Sequence, residues 1–265
     1  MSEQKCIVLN WNVRGLNNRA RRQVVKDMAN DNACTIAALQ ETKLAVVNSV
    51  DVTEFLGARF SNQFAYLPAN NTRGGVLLAV DEDYYTITQS VCHQHSITVH
   101  LSSKQCVSEW WITVVYGPQG EQEKVEFLAE VRSIRTTVGD KWLLLGDFNL
   151  ILHATDKSNE NLNRRLMAEF RNTVNFLQMK ELSLRGRRFT WSNDTTQTRI
   201  DRAFCSVNWD LMLPTASLQA LSSATSDHSP LLITGGSLGC NYKGFRFELF
   251  WPKVQGYQEV VQQAW

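Results

Sequence analysis

The stretch Trp142-Leu143-Leu144-Leu145-Gly146-Asp147-Phe148-Asn149 decides the fold of this chain. An uninterrupted apolar run of this kind is typical of a strand that is buried on both faces. Because the run ends in an acid and a carboxamide, Asp147 and Asn149 are expected where a central strand leaves the core. Polar groups there must be hydrogen-bonded, bind a metal or act on a substrate. A helix cap or an Asx turn that closes the strand is the alternative interpretation.

The composition fits one large domain. The chain has 265 residues, of which 43% are hydrophobic and 10% aromatic, and this is enough for a sizeable core. Its formal net charge of +1 argues against binding nucleic acid by bulk charge, but it leaves room for local basic patches.

Cysteine spacing and hydropathy exclude other classes of protein. The six cysteines show no Cys-x-x-Cys pair and no paired histidine spacing, so they predict reduced core thiols of an intracellular protein. A zinc site and a disulfide framework are not indicated. The chain begins without the pattern of a signal peptide, and no apolar run approaches the roughly 18 residues of a membrane span. We therefore expect a soluble protein that is neither exported nor bound to a membrane.

Strand and helix patterns alternate along the chain, with a β-rich block inserted among them. Helices are predicted at 19–30, 121–138 and 163–179, and strands at 7–12, 35–39, 75–80, 84–90, 97–101, 110–116, 218–222 and 231–234. Two short strands at 189–192 and 199–206 are expected to form a hairpin across the loop 193–198. The pattern favours an α/β fold in which two sheets pack face to face with helices outside. Strand-end loops from both sheets would then meet at one rim.

Polar residues that suit phosphoryl chemistry recur directly after apolar segments. Each one is weak alone, since turns use the same residue types. As a set they suggest a metal-assisted phosphoryl hydrolase, and its candidates are Asn12, Glu41, Tyr116, Asp147, Asn149, Asp201, Asp227 and His228.

The chemistry accounts for these residue types. In-line attack of water on a phosphodiester needs a base, a hard cation and hydrogen-bond donors around the phosphorus. Glu41 offers oxygen ligation suited to Mg²⁺. His228 can act as the base, with Asp201 on its other ring nitrogen. Asn149 and Tyr116 can donate to phosphate oxygens, while Asp147 orients the water or protonates the leaving group.

Six motifs occur in the order found in the endonuclease/exonuclease/phosphatase superfamily, which the chain resembles over about residues 5–235. They are Trp11-Asn12-Val13-Arg14-Gly15-Leu16-Asn17, Gln40-Glu41-Thr42-Lys43, Tyr116-Gly117-Pro118, Gly146-Asp147-Phe148-Asn149, Arg199-Ile200-Asp201-Arg202 and Ser226-Asp227-His228-Ser229-Pro230. The resemblance implies a four-layered α/β sandwich of the DNase I-like type, with two mixed β-sheets flanked by helices.

A second set of motifs resembles the endonuclease domain of plant LINE (non-LTR) retrotransposons. It is formed by Leu184-x-Gly186-x-x-Phe189-Thr190-Trp191-Ser192-Asn193 followed by Arg199-Ile200-Asp201-Arg202. The tail Phe245-Arg246-Phe247-Glu248-Leu249-Phe250-Trp251 resembles the segment that follows this domain and leads to reverse transcriptase. The resemblance implies an endonuclease domain at 1–236 and a linker at 237–265 that leads toward the reverse transcriptase domain of the same polyprotein.

The resemblance also implies individual roles. Glu41 would be the principal ligand of Mg²⁺, or alternatively of Mn²⁺, with Asn12 and Asp227 beside it. Asp201 and His228 would form a pair, and Asp147 and Asn149 would handle the nucleophile and the phosphate. Whether His228 or Asp147 accepts the proton of the water stays open. Arg14 stands where abasic-site repair enzymes of the superfamily carry an acid, and this weakens a repair interpretation.

Contacts with double-stranded DNA are expected from six residues, although for any single Arg or Lys a solvated surface charge is the alternative. They are Arg14, Lys43, Arg73, Thr190, Asn193 and Arg199. The hairpin between Thr190 and Arg199 resembles the family's hairpin that projects toward DNA, and its tip has no cation or aromatic wedge, so a modest sequence preference is expected. The histidines outside these motifs, His93, His95, His100 and His153, are expected to be structural or surface residues.

The function implied is a Mg²⁺-dependent endonuclease that nicks target DNA and leaves a 3′-hydroxyl to prime reverse transcription. It would be made in the cytoplasm, act in the nucleus and be a monomer as an isolated domain. The alternatives are an abasic-site repair nuclease, a phosphatase or sphingomyelin hydrolase that acts on lipids, and an inactive DNA-binding remnant of a transposon.

Overall fold

The structure is a computed structural model that describes residues 5–70, 73–236 and 257–264. The helices are α1 (Arg19–Asp31), α2 (Ser49–Leu56), α3 (Glu121–Ile134), α4 (Arg164–Phe176), α5 (Val207–Met212) and α6 (Tyr257–Ala264). The strands are β1 (Lys5–Asn12), β2 (Ile36–Gln40), β3 (Phe64–Asn70), β4 (Arg73–Val80), β5 (Tyr85–Cys92), β6 (Ser96–Ser103), β7 (Glu109–Tyr116), β8 (Trp142–Asp147), β9 (Lys180–Glu181), β10 (Leu184–Arg185), β11 (Trp191–Ser192), β12 (Gln197–Thr198), β13 (Asp201–Cys205), β14 (Ser217–Ala220) and β15 (Leu231–Gly236).

Two mixed sheets pack face to face. The first has seven strands in the order β10-β14-β15-β1-β2-β4-β3, and the second has six in the order β5-β6-β7-β8-β13-β9. Strands β1 and β2 are parallel, as are β7 and β8, whereas β15 and β13 run antiparallel to their neighbours β1 and β8. The short strands β11 and β12 form a separate hairpin.

Alternating side chains build three apolar layers between four layers of structure. In β1, Val8 points into the core between the sheets, and Leu9 packs in the outer core with Val25 of α1 and Phe55 of α2. A third cluster joins the six-stranded sheet to α3 and α4. The predicted four-layered α/β sandwich is therefore confirmed.

Strand β8 is the buried centre that the opening stretch predicts. All six of its residues are buried, and it lies between β7 and β13. Gly146 is required there, because its φ is +141° and an added Cβ would lie 2.1 Å from the carbonyl oxygen of Val115. The chain therefore leaves the strand directly at Asp147.

The predicted hairpin pairs different strands from those expected. Trp191–Ser192 pairs with Gln197–Thr198, and the following strand, Asp201–Cys205, lies in the six-stranded sheet beside β8. The assignment of the predicted strand 199–206 to the hairpin was therefore wrong. This strand lies in the six-stranded sheet because its apolar residues pack in the core. The strands β3, β9 and β10 and the helices α2, α5 and α6 were not predicted. The capping box formed by Asn48 and Asp51 at the start of α2 was the available signal.

The proposed linker at 237–265 lies largely outside the described residues, and so do Cys240 and the motif Phe245–Trp251. The boundary after Gly236 stays a prediction, although β15 ends there. Among the residues that the structure describes, Cys6, Cys92 and Cys106 are free thiols. None of the helices in the described ranges is long and apolar enough to cross a membrane.

Candidate active site

The ends of several strands meet at one rim of the sandwich. Asn12 pairs with Gln40 at the ends of the parallel strands β1 and β2, and Tyr116 pairs with Asp147 at the ends of β7 and β8. Asp201 also lies at this rim, opposite Asp147. It begins its strand and does not follow an apolar segment as expected, because β13 runs antiparallel to β8.

A buried cluster of two acids and a histidine forms the centre of the site. Nδ1 of His228 lies 3.0 and 3.1 Å from the carboxylate oxygens of Asp201, and its Nε2 lies 3.8 Å from Oδ2 of Asp147. All three side chains are at most 4% exposed. One ligand atom from each lies within 4.8 Å of the others, so the cluster could also hold a metal ion. The predicted pair of Asp201 and His228 is present.

Two of these groups have raised pKa values for different reasons. Burial raises the pKa of Asp147 to about 7, and the charge of Asp201 adds to this effect. Burial alone would lower the pKa of His228, but the adjacent Asp201 carboxylate outweighs it and raises that pKa to about 9. At neutral pH the histidine is thus protonated, and Asp147 is close to its own pKa.

Amide groups fix the carboxylate of Asp147. Asn12 donates from Nδ2 to its Oδ2 at 2.9 Å, and the backbone N–H of Asn149 donates to its Oδ1 at 2.9 Å. The side chain of Asn149 donates in turn to the carbonyl of Gly117 and accepts from Gln119. The site therefore holds Asp147 in one orientation.

Glu41 lies on the other side of the pocket, beside Tyr116. Its Oε1 is 3.1 Å from Nζ of Lys43, and its carboxylate accepts a hydrogen bond from Tyr116. Burial and the charge of Glu41 raise the pKa of Tyr116, so its hydroxyl stays a donor. In the described ranges, six non-glycine residues have a positive φ, and four of them are at this rim: Arg14, Glu41, Lys43 and Asn149. Such strain is typical of functional sites.

Asp227 has one carboxylate oxygen that is fully engaged and one that is not. Its Oδ2 accepts from Nη1 of Arg14 at 3.0 Å and from Nε1 of Trp191 at 2.8 Å. Its Oδ1 is buried and has no hydrogen-bond partner within the ranges that the structure describes. Nε of Arg14 lies 3.9 Å from Oε1 of Glu41, so the guanidinium reaches toward both carboxylates.

These donors fit a hard divalent cation. Carboxylate oxygens such as those of Glu41 and Asp227 are the ligands that Mg²⁺ and Mn²⁺ prefer, and an unpartnered buried oxygen is suited to that role. Asn12 fits less well as a ligand than predicted. Its amide nitrogen donates to Asp147, and its Oδ1 accepts from the backbone of Arg14.

The site opens into a cavity of about 510 Å³. Asn12, Glu41, Tyr116, Asp147, Asn149 and His228 line it, as do the DNA-contact candidates Arg14 and Asn193. Lys43 and Arg73 line a second groove of about 660 Å³ on the far side of Tyr116, which also reaches Glu41. Most of the predicted site residues therefore line two adjoining depressions, whereas Asp201 and Asp227 line neither of them.

Two predicted DNA contacts take structural positions instead. Thr190 is 1% exposed, and its hydroxyl accepts from the backbone N–H groups of Ile200 and Asp201. Arg199 donates to Glu181 at 2.7 Å and does not line the cavity. In both cases the hairpin turns the side chain inward, a feature that residue type does not reveal.

The structure adds Lys124 and Trp191 to the pocket. Lys124 comes from the first turn of α3, and burial lowers its pKa while the charge of Asp147 opposes that effect. Sequence reasoning missed it because it lies on the polar side of an amphipathic helix. Of the histidines outside the motifs, His95 and His100 pack against Phe127 and Trp111, and His153 caps a short turn. His95 also lines the second groove.

Solved structures share this fold. The endonuclease domain of TRAS1, a telomere-specific non-LTR retrotransposon, superposes with a TM-score of 0.62 at 14% identity, over 87% of this chain and 98% of that one. The AP endonuclease LMAP from Leishmania major gives a TM-score of 0.64 at 14% identity, over 88% of each chain. TDP2 from D. rerio, complexed with a single strand DNA product, gives 0.62 at 14% identity, over 87% and 98%. At these identities the similarity establishes the fold.

Among curated proteins, none matches the sequence. The sequence does match the model of the Endonuclease/Exonuclease/phosphatase family over residues 9–228. This range begins within β1, ends at His228 and contains every predicted site residue. The chain therefore belongs to the Endonuclease/Exonuclease/phosphatase family.

Proposed function

We propose that this protein is a Mg²⁺-dependent DNA endonuclease, the N-terminal part of a plant LINE polyprotein. It nicks one strand of target DNA in the nucleus and leaves a 3′-hydroxyl that primes reverse transcription by the polymerase domain of the same polyprotein. The observation that carries the proposal is the buried cluster of Asp147, Asp201 and His228, which opens through Asp147 and His228 on the cavity that Glu41 also lines. Members of the family are hydrolases of phosphate esters, and this cluster supplies the required acid and base groups.

Each residue of the site has a separate role in in-line hydrolysis. A bound divalent cation, held by Glu41 and Asp227, would neutralise charge on the phosphate. Asp147 is placed to accept the proton of the attacking water or to give one to the leaving oxygen, because its raised pKa lies near neutral pH. His228, protonated beside Asp201, stabilises the negative charge that develops on the phosphorus oxygens.

Two neutral donors complete the pocket. The hydroxyl of Tyr116 stays protonated, and the amide of Asn149 is fixed by Gly117 and Gln119. The fixed amide of Asn149 favours the transition state because it needs no reorganisation when charge develops, whereas the hydroxyl of Tyr116 turns from Glu41 to the phosphate when the substrate binds. We assign both groups to the non-bridging or leaving oxygens.

Arg14 favours an undamaged DNA substrate over an abasic site. It brings a guanidinium to the carboxylates of Asp227 and Glu41, where the resemblance places an acid in repair enzymes. A cation at this position supports contact with a backbone phosphate, which every DNA sequence offers. The fold neighbours include both a retrotransposon endonuclease domain and an AP endonuclease, so the substrate must be tested directly.

Plasmid nicking tests the proposal. The wild-type protein should convert supercoiled plasmid to the nicked form with Mg²⁺ and not with EDTA, and polymerase should extend the nick from a 3′-hydroxyl. Asp147→Asn and His228→Gln should each lower the rate at least 100-fold, the usual scale for a lost acid or base. Activity that survives both substitutions would refute the assignment of the site.

Substrate comparisons separate the alternatives. A strong preference for a duplex with one abasic site over the same intact duplex would favour repair. Release of phosphate from an inositol lipid, without cutting of DNA, would favour a lipid phosphatase. DNA binding without hydrolysis of any of these substrates would favour an inactive transposon remnant.

A further inference from the structure

The loop Arg185-Gly186-Arg187-Arg188 concentrates positive charge that none of the assigned functions uses. Its three arginines are exposed, and no carboxylate of the described chain lies within 4.0 Å of their guanidinium groups. Arginines nearer the site differ, since Arg14 pairs with Asp227 and Arg199 with Glu181. Within the described ranges, the charge of this loop is therefore not cancelled by an ion pair.

Neutral acceptors hold two of these guanidinium groups in place. Arg187 donates from Nη1 to Oγ of Ser229 at 2.9 Å, next to the catalytic histidine. Arg188 donates from Nε and Nη2 to the carbonyl of Thr155 at 3.0 and 2.7 Å. Hydroxyl and carbonyl partners orient the groups without cancelling their charge. Each guanidinium keeps further N–H donors for a phosphate.

Strand order places this loop on the rim that carries the active site. Strand β10 ends at Arg185 and runs parallel to β14. The end of β14 pairs with the start of β15, and the first residue of β15 pairs with Asn10 of β1. On the other flank, β4 begins at Arg73, beyond the end of β2. The seven-stranded sheet thus has site residues at its centre and basic residues on both flanks.

We propose that Arg187 and Arg188 form a clamp for the DNA backbone on the hairpin side of the site. The inference rests on the proposed function and names the part of the duplex that is bound. From β10 to β1 are three strand spacings, about 14 Å at roughly 4.8 Å each. This corresponds to about four nucleotides of B-DNA at about 3.4 Å each, and Arg187 reaches back to Ser229 beside His228, so the clamp contacts phosphates within about four nucleotides of the nick.

Salt dependence of DNA binding tests the clamp. Each phosphate contact contributes about 0.9 to the slope of log K against log salt, so Arg187→Gln/Arg188→Gln should lower the slope by about 1.8. If the two proteins bind equally at 1 M salt, this difference amounts to about 60-fold weaker binding at 0.1 M. Fluorescence anisotropy with a duplex that spans a mapped nick site, in EDTA, measures it.

A matched control removes the same charge elsewhere. Lys104, in the loop before β7, and Arg135, after α3, lie at the opposite end of the sandwich. Lys104→Gln/Arg135→Gln should leave the slope unchanged. Arg188→Gln alone tests a residue that does not touch the catalytic loop, and Arg187→Lys should retain most of the slope because it keeps the charge.

A methylphosphonate, which replaces one charged phosphate of the DNA by a neutral group, locates the contact. In a series of duplexes with one methylphosphonate each, one to about four nucleotides from the nick on the hairpin side, at least one modification should weaken binding by the wild-type protein. It should not weaken binding by the double variant further. Two results would overturn the clamp while the nicking activity stands. One is that the methylphosphonate weakens binding by the double variant as much as it weakens binding by the wild type, and the other is that the salt slope of the double variant is unchanged. A wild-type protein that neither binds nor nicks DNA would overturn the proposed function and the clamp together.

Discussion

Replacing Asp201 with Asn should release the proton that the structure holds on His228. The two side chains are nearly isosteric, so the change removes a charge 3.0 Å from Nδ1 with little change in packing. The pKa of His228 is about 9, against an ordinary value of 6.5, although its burial acts in the opposite direction. That difference corresponds to roughly 3 kcal/mol of preference for the protonated ring.

In Asp201→Asn the burial remains and the main opposing charge is gone. We therefore expect the pKa of His228 to fall by about two or more, toward or below its ordinary value. Titration of the ring nitrogens by ¹H–¹⁵N NMR in EDTA measures it, and His228→Gln assigns the signal. The other four histidines serve as internal references.

The same coupling predicts a stability difference with a defined sign. The raised pKa of His228 means that the folded protein binds this proton more tightly than the unfolded chain does. Its contribution to stability is complete below pH 6.5 and is lost as the pH rises through about 9. Urea unfolding should therefore show a larger gap between wild type and Asp201→Asn at pH 6 than at pH 10. A wild-type ring that titrates near its ordinary value, or a variant with an unchanged pKa, would refute the reasoning.

Three further predictions concern other parts of the site and the fold. Trp191→Phe keeps the aromatic ring but removes the hydrogen bond from the indole N–H to Asp227. The kcat/KM for nicking should fall about 10-fold, which corresponds to the roughly 1.5 kcal/mol of a hydrogen bond to a charged group. The melting temperature should change little. Lys124→Gln removes a half-buried cation of the pocket, so KM for DNA should rise more than kcat falls, whereas an effect on kcat alone would contradict a role in binding. Gly146→Ala should destabilise the fold by about 3 kcal/mol or more in urea unfolding, because its Cβ would collide with the carbonyl oxygen of Val115. Gly57→Ala is its control, since Gly57 also has a positive φ but an added Cβ there meets nothing within 4 Å; equal losses in both variants would show that strain, and not collision, is responsible.

Local patterns in the chain were enough to predict most of the architecture. The apolar run that ends at Asp147 gave a central strand, and residues that follow similar runs, such as Asn12 and Tyr116, reach the same rim. This succeeds because parallel strands that end together bring their last residues to one edge of a sheet. Periodicity failed where elements are short, as in α2, whose eight residues include two valines and a threonine, which are weak helix formers.

The partners of individual side chains could not be predicted in the same way. Thr190 and Arg199 carry groups that suit DNA contacts, yet one binds the backbone at the start of β13 and the other binds Glu181. Asp201 was assigned to the right pair although it begins a strand. Its position depends on β13 running antiparallel to β8, and such long-range pairing is invisible to local periodicity.

The sequence by itself determined the layered fold, the residues at the strand ends and the hard-oxygen chemistry of the site, because these follow from hydrophobic spacing and residue type. Tertiary structure decided which charges are cancelled and which stay free. Arg14 is drawn to Asp227, while Arg187 and Arg188 rest on neutral acceptors. It also decided the protonation of Asp147 and His228, since a pKa depends on burial and on charges that lie far apart in the chain and meet only in the folded protein.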